Sequence, residues 1–299
     1  MTDYLSTPHR KYLTWANHTV GLAGKDILEI GGCSPVSEIQ RLSPRSWVCF
    51  NLDRPAVDSF NQEAAHRRLP HFSAHAQDAA TIDLGSRFSA AYSINAFEHI
   101  RDLHTTLDKV RRSLIPGGVL FTVFGPIWSA DVGHHLSIPT DQGPIGMFDG
   151  VLEPWEHLTS TPAQIYERIL PRLGSEIAQR VIEYVFDYPD LNRLSEADYI
   201  DILHSSGLSP VLVIRRKSKL HPPQGVASRT REFLWLLKNG AASPFETVQA
   251  AIRFSLGFAA TRITVRGAGR VCTARKGIRS DLISNPRACS CPDGPDMGT

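Results

Sequence analysis

The chain has 299 residues, of which 42% are hydrophobic and 21% charged, with 22 Gly and 20 Pro. This composition is ordinary for a folded globular protein and excludes fibrous, collagen-like and wholly disordered chains. Lys and Arg number 32 against 30 Asp and Glu, and the resulting net charge of +2 is too small to supply the phosphate attraction of a dedicated nucleic-acid binder. We therefore expect no nucleic-acid partner.

The sequence also favours a reducing, aqueous compartment. No apolar run approaches the roughly 20 residues of a membrane span, and the N-terminus lacks the basic-then-apolar pattern of a secretory signal. The five cysteines are an odd number, and Cys33, Cys49 and Cys272 lie in apolar or strand-like segments, where a free thiol behaves as a small hydrophobic side chain. These features predict a cytoplasmic protein with no membrane partner.

Short apolar runs alternate with longer helical stretches along the first part of the chain. Five strands are predicted, at residues 26–30, 47–52, 72–77, 88–94 and 118–124. Four apolar side chains at helical spacing predict a crossover helix between the fourth and fifth strands: Leu103, Leu107, Val110 and Leu114. The regular spacing is typical of βα units with a parallel sheet.

The pattern changes after the fifth strand. Residues from about 126 to 196 are too many for one connection, and their apolar side chains recur every four residues from Ile165 to Val181, which predicts a helical cap inserted over one end of the sheet. The remaining segments are predicted as a helix at 198–203, a strand at 209–215, an exposed excursion at 216–232, helices at 233–237 and 248–258, strands at 262–266 and 270–274, and a disordered tail at 278–299.

Together these elements predict an α/β fold with a mostly parallel sheet that has helices on both faces and a helical cap insertion. Residues 1–277 are expected to form this one domain. No internal repeat is visible in the sequence.

Acidic residues lie at the ends of three successive predicted strands. Glu29 ends the first strand just before Gly31 and Gly32, Asp53 follows the second and Asp78 the third. Parallel packing brings the carboxyl ends of these strands to one edge, where open α/β sheets bind their ligands. The three carboxylates are therefore expected to surround one ligand.

A dinucleotide does not suit this edge. The G-x-G-x-x-G fingerprint is absent, because Cys33 and Val36 occupy the second and third glycine positions if Gly31 is the first. A carboxylate at Glu29 would repel a pyrophosphate and attract a cation. The loop therefore favours a ligand with a positive charge.

These acids, together with the run Asn95-Ala-Phe-Glu-His99 after the fourth strand, resemble the motifs of class I S-adenosylmethionine-dependent methyltransferases of the small-molecule type. The resemblance covers about residues 20–125, and residues 195–276 more loosely. In that family the first strand is usually followed by a G-x-G-x-G-like loop, of which Gly31 and Gly32 remain here. The resemblance implies S-adenosylmethionine as the cofactor, methyl transfer as the reaction, and a Rossmann-like, seven-stranded, mostly parallel sheet as the fold.

The resemblance also implies a role for each position. Gly31 and Gly32 would let the methionine part of the cofactor lie against the backbone, and Glu29 would supply negative potential near its sulfonium. The other cofactor-binding positions are Asp53 for the ribose hydroxyls, Asp78 for the adenine amino group, the backbone of Ala79 for the ring edge, and Ser93 and Asn95 for the methyl-bearing end. Each acid also has a structural alternative, as a strand-end charge, a turn residue or a helix cap.

The catalytic candidates are histidines. The segment from Gly125 to His135 directly follows the fifth strand and is expected to lie near the reactive end of the cofactor. Because imidazole titrates near neutrality, we predict His135 as a general base ahead of His134, with backbone capping as the alternative role of both. His99, next to Glu98, is a third candidate. No metal is expected, because adjacent histidines diverge and no further cluster completes a coordination shell.

The substrate is predicted from the cap. Its aromatic residues are numerous enough to line an apolar pocket: Phe148, Trp155, His157, Tyr166, Tyr184, Phe186 and Tyr188. Since no basic stripe is interleaved with aromatic residues, a small molecule such as a natural product or a sugar-like secondary metabolite is favoured, methylated on oxygen.

Several alternatives remain open at the level of sequence. One is a protein that binds S-adenosylmethionine without transferring its methyl group. Another is a NAD-dependent oxidoreductase, which would require a phosphate site that the sequence does not provide. A homodimer is also compatible with the sequence.

Overall fold

The structure of the chain is a computed structural model that describes residues 6–226, 230–240, 262–267 and 270–275. Its helices are α1 (Ser6–Val20), α2 (Val36–Arg41), α3 (Arg54–His66), α4 (Leu103–Ser113), α5 (Glu156–Thr159), α6 (Pro162–Ile182) and α7 (Glu196–Ser205). Its strands are β1 (Asp26–Ile30), β2 (Ser46–Asn51), β3 (Phe72–Ala76), β4 (Phe88–Ile94), β5 (Leu114–Phe124), β6 (Ser137–Ile138), β7 (Ile145–Gly146), β8 (Ser209–Lys217), β9 (Thr230–Lys238), β10 (Arg262–Gly267) and β11 (Arg270–Arg275). The predicted helix at 248–258 and the predicted tail at 278–299 lie outside the described residues.

The main sheet has the strand order β11-β10-β8-β9-β5-β4-β1-β2-β3. Strands β1 to β5 pair in parallel, and β9 runs antiparallel between β5 and β8. Seven of these strands, in the spatial order β8-β9-β5-β4-β1-β2-β3, form the predicted Rossmann-like sheet, which is mostly parallel. The predicted fold class is therefore confirmed. Within the described ranges the sheet has nine strands, because the antiparallel pair of β10 and β11 extends its edge.

The strand β9 corrects two predictions. Residues 233–237 are not helical: they form the middle of β9, and residues 216, 217 and 230–232 of the predicted excursion belong to β8 and β9. The side chains from Phe233 to Leu237 are at most 3% exposed, because β9 is covered on both faces. A strand that is buried on both faces reads as a continuous apolar run, without the alternation that identifies a strand in a sequence.

Helices cover both faces of the sheet, as predicted. On one face the buried apolar side chains of α1, α2 and α3, among them Leu13, Ile39 and Phe60, pack against strand residues such as Ile27. On the other face α4 and α7 contribute Leu107 and other buried side chains. Each such buried side chain stabilises the fold by about 1.5–3 kcal/mol, so the two layers hold the sheet edge in a defined geometry.

The insertion after β5 forms a third core of its own, which includes Leu136, Ile165 and Val181. The predicted helical repeat lies in α6, which is kinked at Gly174. The end of the insertion is tied to the carboxyl end of β4: the backbone N–H of Asn192 donates to the Glu98 carbonyl at 3.0 Å, and its side-chain amide to the Phe97 carbonyl at 2.6 Å. The insertion therefore lies against the carboxyl end of β4, beside the segment that holds Asn95 and His99.

None of the helices among these described segments is long and apolar enough to cross a membrane.

Candidate cofactor and acceptor site

Glu29 holds the loop that follows β1. Its carboxylate is 2% exposed and accepts hydrogen bonds from the Ser34 backbone N–H at 3.1 Å and the Ser34 hydroxyl at 2.6 Å. From β2 it accepts the Trp47 indole N–H at 2.6 Å and the Cys49 thiol at 3.2 Å. A buried carboxylate with this many donors is well compensated for its loss of water. Glu29 is thus engaged in fixing the loop from Gly31 to Pro35, and any attraction of its charge for a cation acts from beneath that loop.

The two glycines of this loop are required by close contacts. Gly31 has a φ of +75°, and a Cβ at this position would lie 2.3 Å from the Cβ of Ala96. A Cβ at Gly32 would lie 2.8 Å from Oε1 of Glu29. The bare backbone of the loop therefore passes between the end of β4 and the Glu29 carboxylate, and it leaves a turn against which a ligand can lie.

Asp53 and Asp78 lie side by side in the register of the sheet. Asn51 of β2 pairs with Ala76 of β3, and each acid follows two residues after its strand's member of this pair. Both acids are exposed, and each caps the helical turn behind it through one carboxylate oxygen: Oδ1 of Asp53 accepts from the Ala56 N–H at 3.2 Å, and Oδ1 of Asp78 from the Ala80 N–H at 2.9 Å. The predicted capping role of Asp78 is therefore present, and Asp53, for which a turn role was the predicted alternative, is a cap as well. A carboxylate accepts about four hydrogen bonds, so both can still receive the hydroxyl or amino donors of a ligand.

Two further residues at this edge were missed from the sequence. Asn51 ends β2, and its side-chain amide lies 4.0 Å from the Cys33 sulfur in the glycine loop. Leu52 follows and is 70% exposed, unusually so for a large apolar side chain. A flat aromatic base can pack its face against an exposed leucine that lies between two hydrogen-bonding residues. The signal in the sequence was its position, one residue before Asp53.

The remaining predicted cofactor residues have different surroundings. Ser93 is fully buried, and its hydroxyl donates to the Ile30 carbonyl of the neighbouring strand at 2.9 Å. Ala79 is also buried, in the core below the helical turn that Asp78 caps. Asn95 is exposed, with a φ of +49°. Of these three, only Asn95 presents its side chain at the surface of this edge.

His135 and His99 form a pair in which each ring keeps one acceptor nitrogen. The ring centroids are 5.1 Å apart in an edge-to-face arrangement. Nε2 of His135 contacts the Pro126 carbonyl, and Nδ1 of His99 lies 2.8 Å from the Asp190 carbonyl. Because a carbonyl only accepts, both nitrogens carry the proton, and Nδ1 of His135 and Nε2 of His99 hold the lone pairs. Burial lowers the pKa of His135 to about 4, so its ring is neutral at pH 7.

His134 is arranged differently. Its Nδ1 accepts the Leu136 backbone N–H at 3.1 Å, so the proton lies on Nε2, which is buried and finds no partner in the part of the chain that the structure describes. The His157 ring lies 5.4 Å away between centroids, and its Nε2 donates to the Trp128 carbonyl at 2.8 Å. His134 therefore presents a donor, and no basic nitrogen, to its surroundings. The structure favours His135 over His134 as a base.

Glu98 is a buried acid behind these histidines. One carboxylate oxygen accepts the Gly125 backbone N–H at 3.2 Å, and the other has no hydrogen-bond partner among the described residues. Burial raises the pKa of Glu98 to about 8, and the nearby Glu232 carboxylate adds to this shift. Glu98 and His135 thus hold neighbouring peptide groups of the loop after β5, at Gly125 and Pro126.

The aromatic residues of the cap divide into two groups. Trp155 is buried and donates its indole N–H to the Ser129 carbonyl at 3.1 Å, and Tyr184 stacks on Tyr188 with centroids 4.7 Å apart. Phe148 is 72% exposed, with the Arg231 guanidinium 5.8 Å from its ring centroid. Phe148 is therefore the cap residue best placed to contact another molecule.

Over the parts of the chain that the structure covers, no three His, Cys, Asp or Glu side chains converge in a way that could hold a metal ion. Asp131, in the segment between Gly125 and His135, is paired with Arg231 at 3.3 Å and accepts the Ser218 hydroxyl at 2.7 Å.

Comparison with known proteins finds similarity to methyltransferases. Residues 28–122 match a family model described as a methyltransferase domain. No curated protein matches the chain. A solved structure from Listeria monocytogenes, described as an S-adenosylmethionine dependent methyltransferase, is similar with a TM-score of 0.50 and 12% identity, over 79% of this chain and 100% of that one. An S-adenosylmethionine dependent methyltransferase from Mesorhizobium loti has a TM-score of 0.49 and 13% identity, over 77% of this chain and 97% of that one. Geranyl diphosphate C-methyltransferase from Streptomyces coelicolor has a TM-score of 0.48 and 14% identity, over 78% of this chain and 79% of that one.

The family match covers β1 to β5, the part of the sheet that carries Glu29, Asp53 and Asp78. The match, together with the strand order, confirms the resemblance to class I S-adenosylmethionine-dependent methyltransferases and supports S-adenosylmethionine as the cofactor.

Proposed function

We propose that the chain is an S-adenosylmethionine-dependent methyltransferase that methylates a small molecule. The observation that carries the proposal is the shared register of Asp53 and Asp78, two exposed carboxylates beside a glycine loop that Glu29 holds in place. The residues fit the cofactor chemically. Asp53, with Asn51 beside it, would bind the ribose hydroxyls, Asp78 would bind the adenine amino group, and the loop at Gly31 and Gly32 would carry the methionine part.

When bound, S-adenosylmethionine supplies a methyl group on a positively charged sulfur. The chain's task is then to align an acceptor with that group and to exclude water. The peptides at Gly125 and Pro126 are held by Glu98 and His135, and the insertion is tied down over this edge by Asn192. These contacts define a rigid wall for the acceptor.

We propose that the acceptor atom is a hydroxyl oxygen and that His135 receives its proton on Nδ1. The hydrogen bond from Nε2 to the Pro126 carbonyl fixes the tautomer that this role needs. The lowered pKa makes His135 a weak base in the free protein. Proton transfer is therefore expected to occur together with methyl transfer, and to contribute about 10²–10⁴ in rate.

The cap supports a small acceptor. Phe148 provides an exposed apolar ring, whereas the described surface near the site carries paired charges, such as Arg216 with Glu232 at 2.8 Å. Paired charges do not provide the unpaired basic track that a nucleic-acid acceptor requires.

The proposal is tested in two steps. The first is a thermal-shift comparison of S-adenosylhomocysteine with NADH, in which stabilisation by the former alone is expected. The second is incubation with S-adenosylmethionine and a panel of hydroxylated small molecules, with mass spectrometry to detect a product heavier by one CH₂. Replacement His135→Ala should lower turnover at least 100-fold, whereas His134→Ala should retain most of it. Binding of the cofactor without any product would leave the non-transferring alternative, and stabilisation by NADH alone would overturn the proposal.

A further inference from the structure

Arg231 has hydrogen-bond donors that the described part of the chain does not use. The residue lies near the start of β9, and its Nε is 3.3 Å from Oδ1 of Asp131. A guanidinium donates from Nε and from two terminal NH₂ groups. Among the described residues, neither terminal group of Arg231 has a hydrogen-bond partner, and the side chain is 37% exposed. Arg231 therefore keeps a fork of donors open to a ligand.

Asp131 fixes the position of this arginine. Asp131 is 3% exposed, and its carboxylate is itself held: Oδ1 accepts the Val132 backbone N–H at 3.1 Å and Oδ2 accepts the Ser218 hydroxyl at 2.7 Å. The guanidinium thus has a fixed negative charge beside its Nε. An arginine that is already held loses less side-chain freedom when it binds a ligand.

Arg231 is attached to the wall that is proposed for the acceptor. A Cβ at Gly125 would lie 2.4 Å from the Arg231 carbonyl oxygen, so the start of β9 packs directly against the peptide group that Glu98 holds. Asp131 belongs to the same wall and precedes His135 by four residues. The open donors of Arg231 and the proposed base are therefore supported by one segment of the chain.

An exposed aromatic ring lies beside the guanidinium. Phe148 is 72% exposed, and its ring centroid is 5.8 Å from the guanidinium carbon of Arg231. The turn that carries the ring is held by the Asp149 carboxylate, whose Oδ2 accepts the Gly146 backbone N–H at 2.7 Å. Because Phe148 belongs to the insertion and Arg231 to the main sheet, a molecule that contacts both bridges the two parts.

We propose that Arg231 and Phe148 select the acceptor, which carries a carboxylate next to an apolar body. The carboxylate oxygens accept the terminal N–H groups of Arg231, and the apolar body packs against the ring of Phe148. This inference rests on the proposed function and narrows its substrate to a hydroxylated carboxylic acid of aromatic or long-chain type.

The local charges favour a singly charged anion over a phosphate dianion. Arg231 and Asp131 together carry no net charge, so recognition depends on short hydrogen bonds and little on long-range attraction. Arg216 is paired with Glu232 at 2.8 Å and adds no free positive charge. A second negative charge on the ligand would therefore lie near Asp131 without a cation to balance it.

The test uses the full chain and pairs of probes that differ only in charge. The acids are para-hydroxybenzoate, para-coumarate and ω-hydroxylaurate, and each is compared with its primary amide. Tyrosol phosphate serves as the phosphate probe. Calorimetry measures binding to the chain alone and with S-adenosylhomocysteine, and turnover with S-adenosylmethionine is measured by mass spectrometry. At least one acid should bind, and it should exceed its amide at least tenfold in affinity and in kcat/KM.

Three variants separate the charge from the apolar contact. Arg231→Gln should lower the affinity for the acid roughly 10- to 100-fold and bring the ratio of acid to amide close to one. Phe148→Ala should weaken acid and amide alike and keep that ratio. Arg67→Gln is the matched control, because Arg67 is 38% exposed and paired with Glu63 at 2.8 Å on α3, and it should behave as the wild type does.

Urea unfolding shows whether each variant is folded. If Arg231→Gln does not fold, Arg231→Lys takes its place. The lysine keeps the charge beside Asp131 but lacks the fork of donors, and it should still lower the preference for the acid by about threefold or more.

The outcomes distinguish this inference from the proposed function. A chain that fails to bind S-adenosylhomocysteine contradicts the proposed function, while carboxylate binding at Arg231 is still measured on the chain alone. Equal affinity of an acid for wild type and Arg231→Gln overturns the inference, as does methylation of the amides as efficient as that of the acids. Failure of all three acids to bind a chain that binds S-adenosylhomocysteine, or a preference for tyrosol phosphate, also overturns it.

Discussion

The Trp47 indole donates its N–H to Oε2 of Glu29 over 2.6 Å and so ties β2 to the loop after β1. Together with Ser34 and Cys49, it gives the buried carboxylate a complete set of donors. The glycine loop is therefore held in one conformation before a ligand arrives, which lowers the entropy that binding must overcome.

Replacement Glu29→Gln should weaken both the fold and the cofactor site. The new amide keeps one acceptor oxygen but turns an NH₂ group toward donors, which leaves a buried conflict worth about 1–3 kcal/mol. We expect the free energy of unfolding in urea to fall by that amount and the S-adenosylhomocysteine affinity to fall roughly tenfold. Asp26→Asn, at the half-buried start of the same strand, is the control and should change the affinity little. Unchanged affinity in Glu29→Gln would contradict the role of the carboxylate in holding the loop.

Replacement Gly31→Ala should be more damaging than an equivalent change elsewhere. The added Cβ would lie 2.3 Å from that of Ala96 at a φ of +75°, which combines overpacking of about 1–3 kcal/mol with backbone strain of about 1 kcal/mol. Gly24→Ala is the matched control: its φ is +68° and no atom lies within 4 Å of the added Cβ. We expect Gly24→Ala to lose stability by the strain alone and to bind S-adenosylhomocysteine normally. Equal losses in both variants would show that contact with Ala96 is unimportant.

The two roles of Asp53 can be separated by substitution. Serine replaces aspartate well as a helix N-cap, so Asp53→Ser should retain the stability of α3, whereas Asp53→Ala should lose about 1 kcal/mol. Both variants lack the carboxylate and should bind S-adenosylhomocysteine roughly 10- to 100-fold more weakly. Asp102→Ala is the control, because Asp102 caps α4 in the same way through the Thr105 N–H at 2.9 Å. If Asp53→Ser bound as tightly as the wild type, Asp53 would be a cap and nothing more.

The pH dependence of stability should show a maximum near pH 6.5. Burial lowers the pKa of His134 to about 3 and of His135 and His157 to about 4, from 6.5, so the unfolded chain binds protons first as the pH falls. Each histidine then removes about 1.4 kcal/mol of stability per pH unit below 6.5. Glu98 acts in the opposite direction, because its pKa is raised from 4.5 to about 8, and its contribution is lost as the pH rises through that interval.

The measurement is urea unfolding of wild type and Glu98→Gln between pH 5 and 8.5. Between pH 4.5 and 6.5 the three histidines outweigh Glu98, and above 6.5 Glu98 alone should lower the wild-type stability by about 1.4 kcal/mol per unit up to pH 8. Glu98→Gln cannot titrate and should lack this decline. A decline of equal slope in both proteins would show that Glu98 is already ionised at pH 6.5.

The sequence predicts the strands that carry the site because each has a local signal. Strands β1 to β5 are short apolar runs bounded by Gly, Pro or Asp, and their parallel pairing follows from the helices between them. The helix α1 gave no comparable signal, and β9 was misread because its leucines favour a helix and the partners on both sides, β5 and β8, lie far away in the chain.

The sequence predicts where the candidate site residues lie along the chain, but it does not predict which residues they contact. Acids at strand ends follow from the chain order, so the sequence predicts a cofactor-binding role for Asp53 and Asp78, with the capping alternative for Asp78. The use of Glu29 as a loop anchor could not, since it depends on the register that places Cys49 opposite Glu29. The different hydrogen bonds of His134 and His135 depend on which carbonyl or N–H each ring contacts, and the loop conformation sets that contact.

The most direct test of the account is calorimetric titration of S-adenosylhomocysteine into the reduced full-length chain, with Asp53→Ser and Asp78→Ser measured alongside. One molecule of ligand per chain should bind, with the affinity reduced in both variants. No heat of binding to the wild type, in a protein shown to be folded by its cooperative unfolding, would contradict the assignment of this sheet edge as a methyl-donor site.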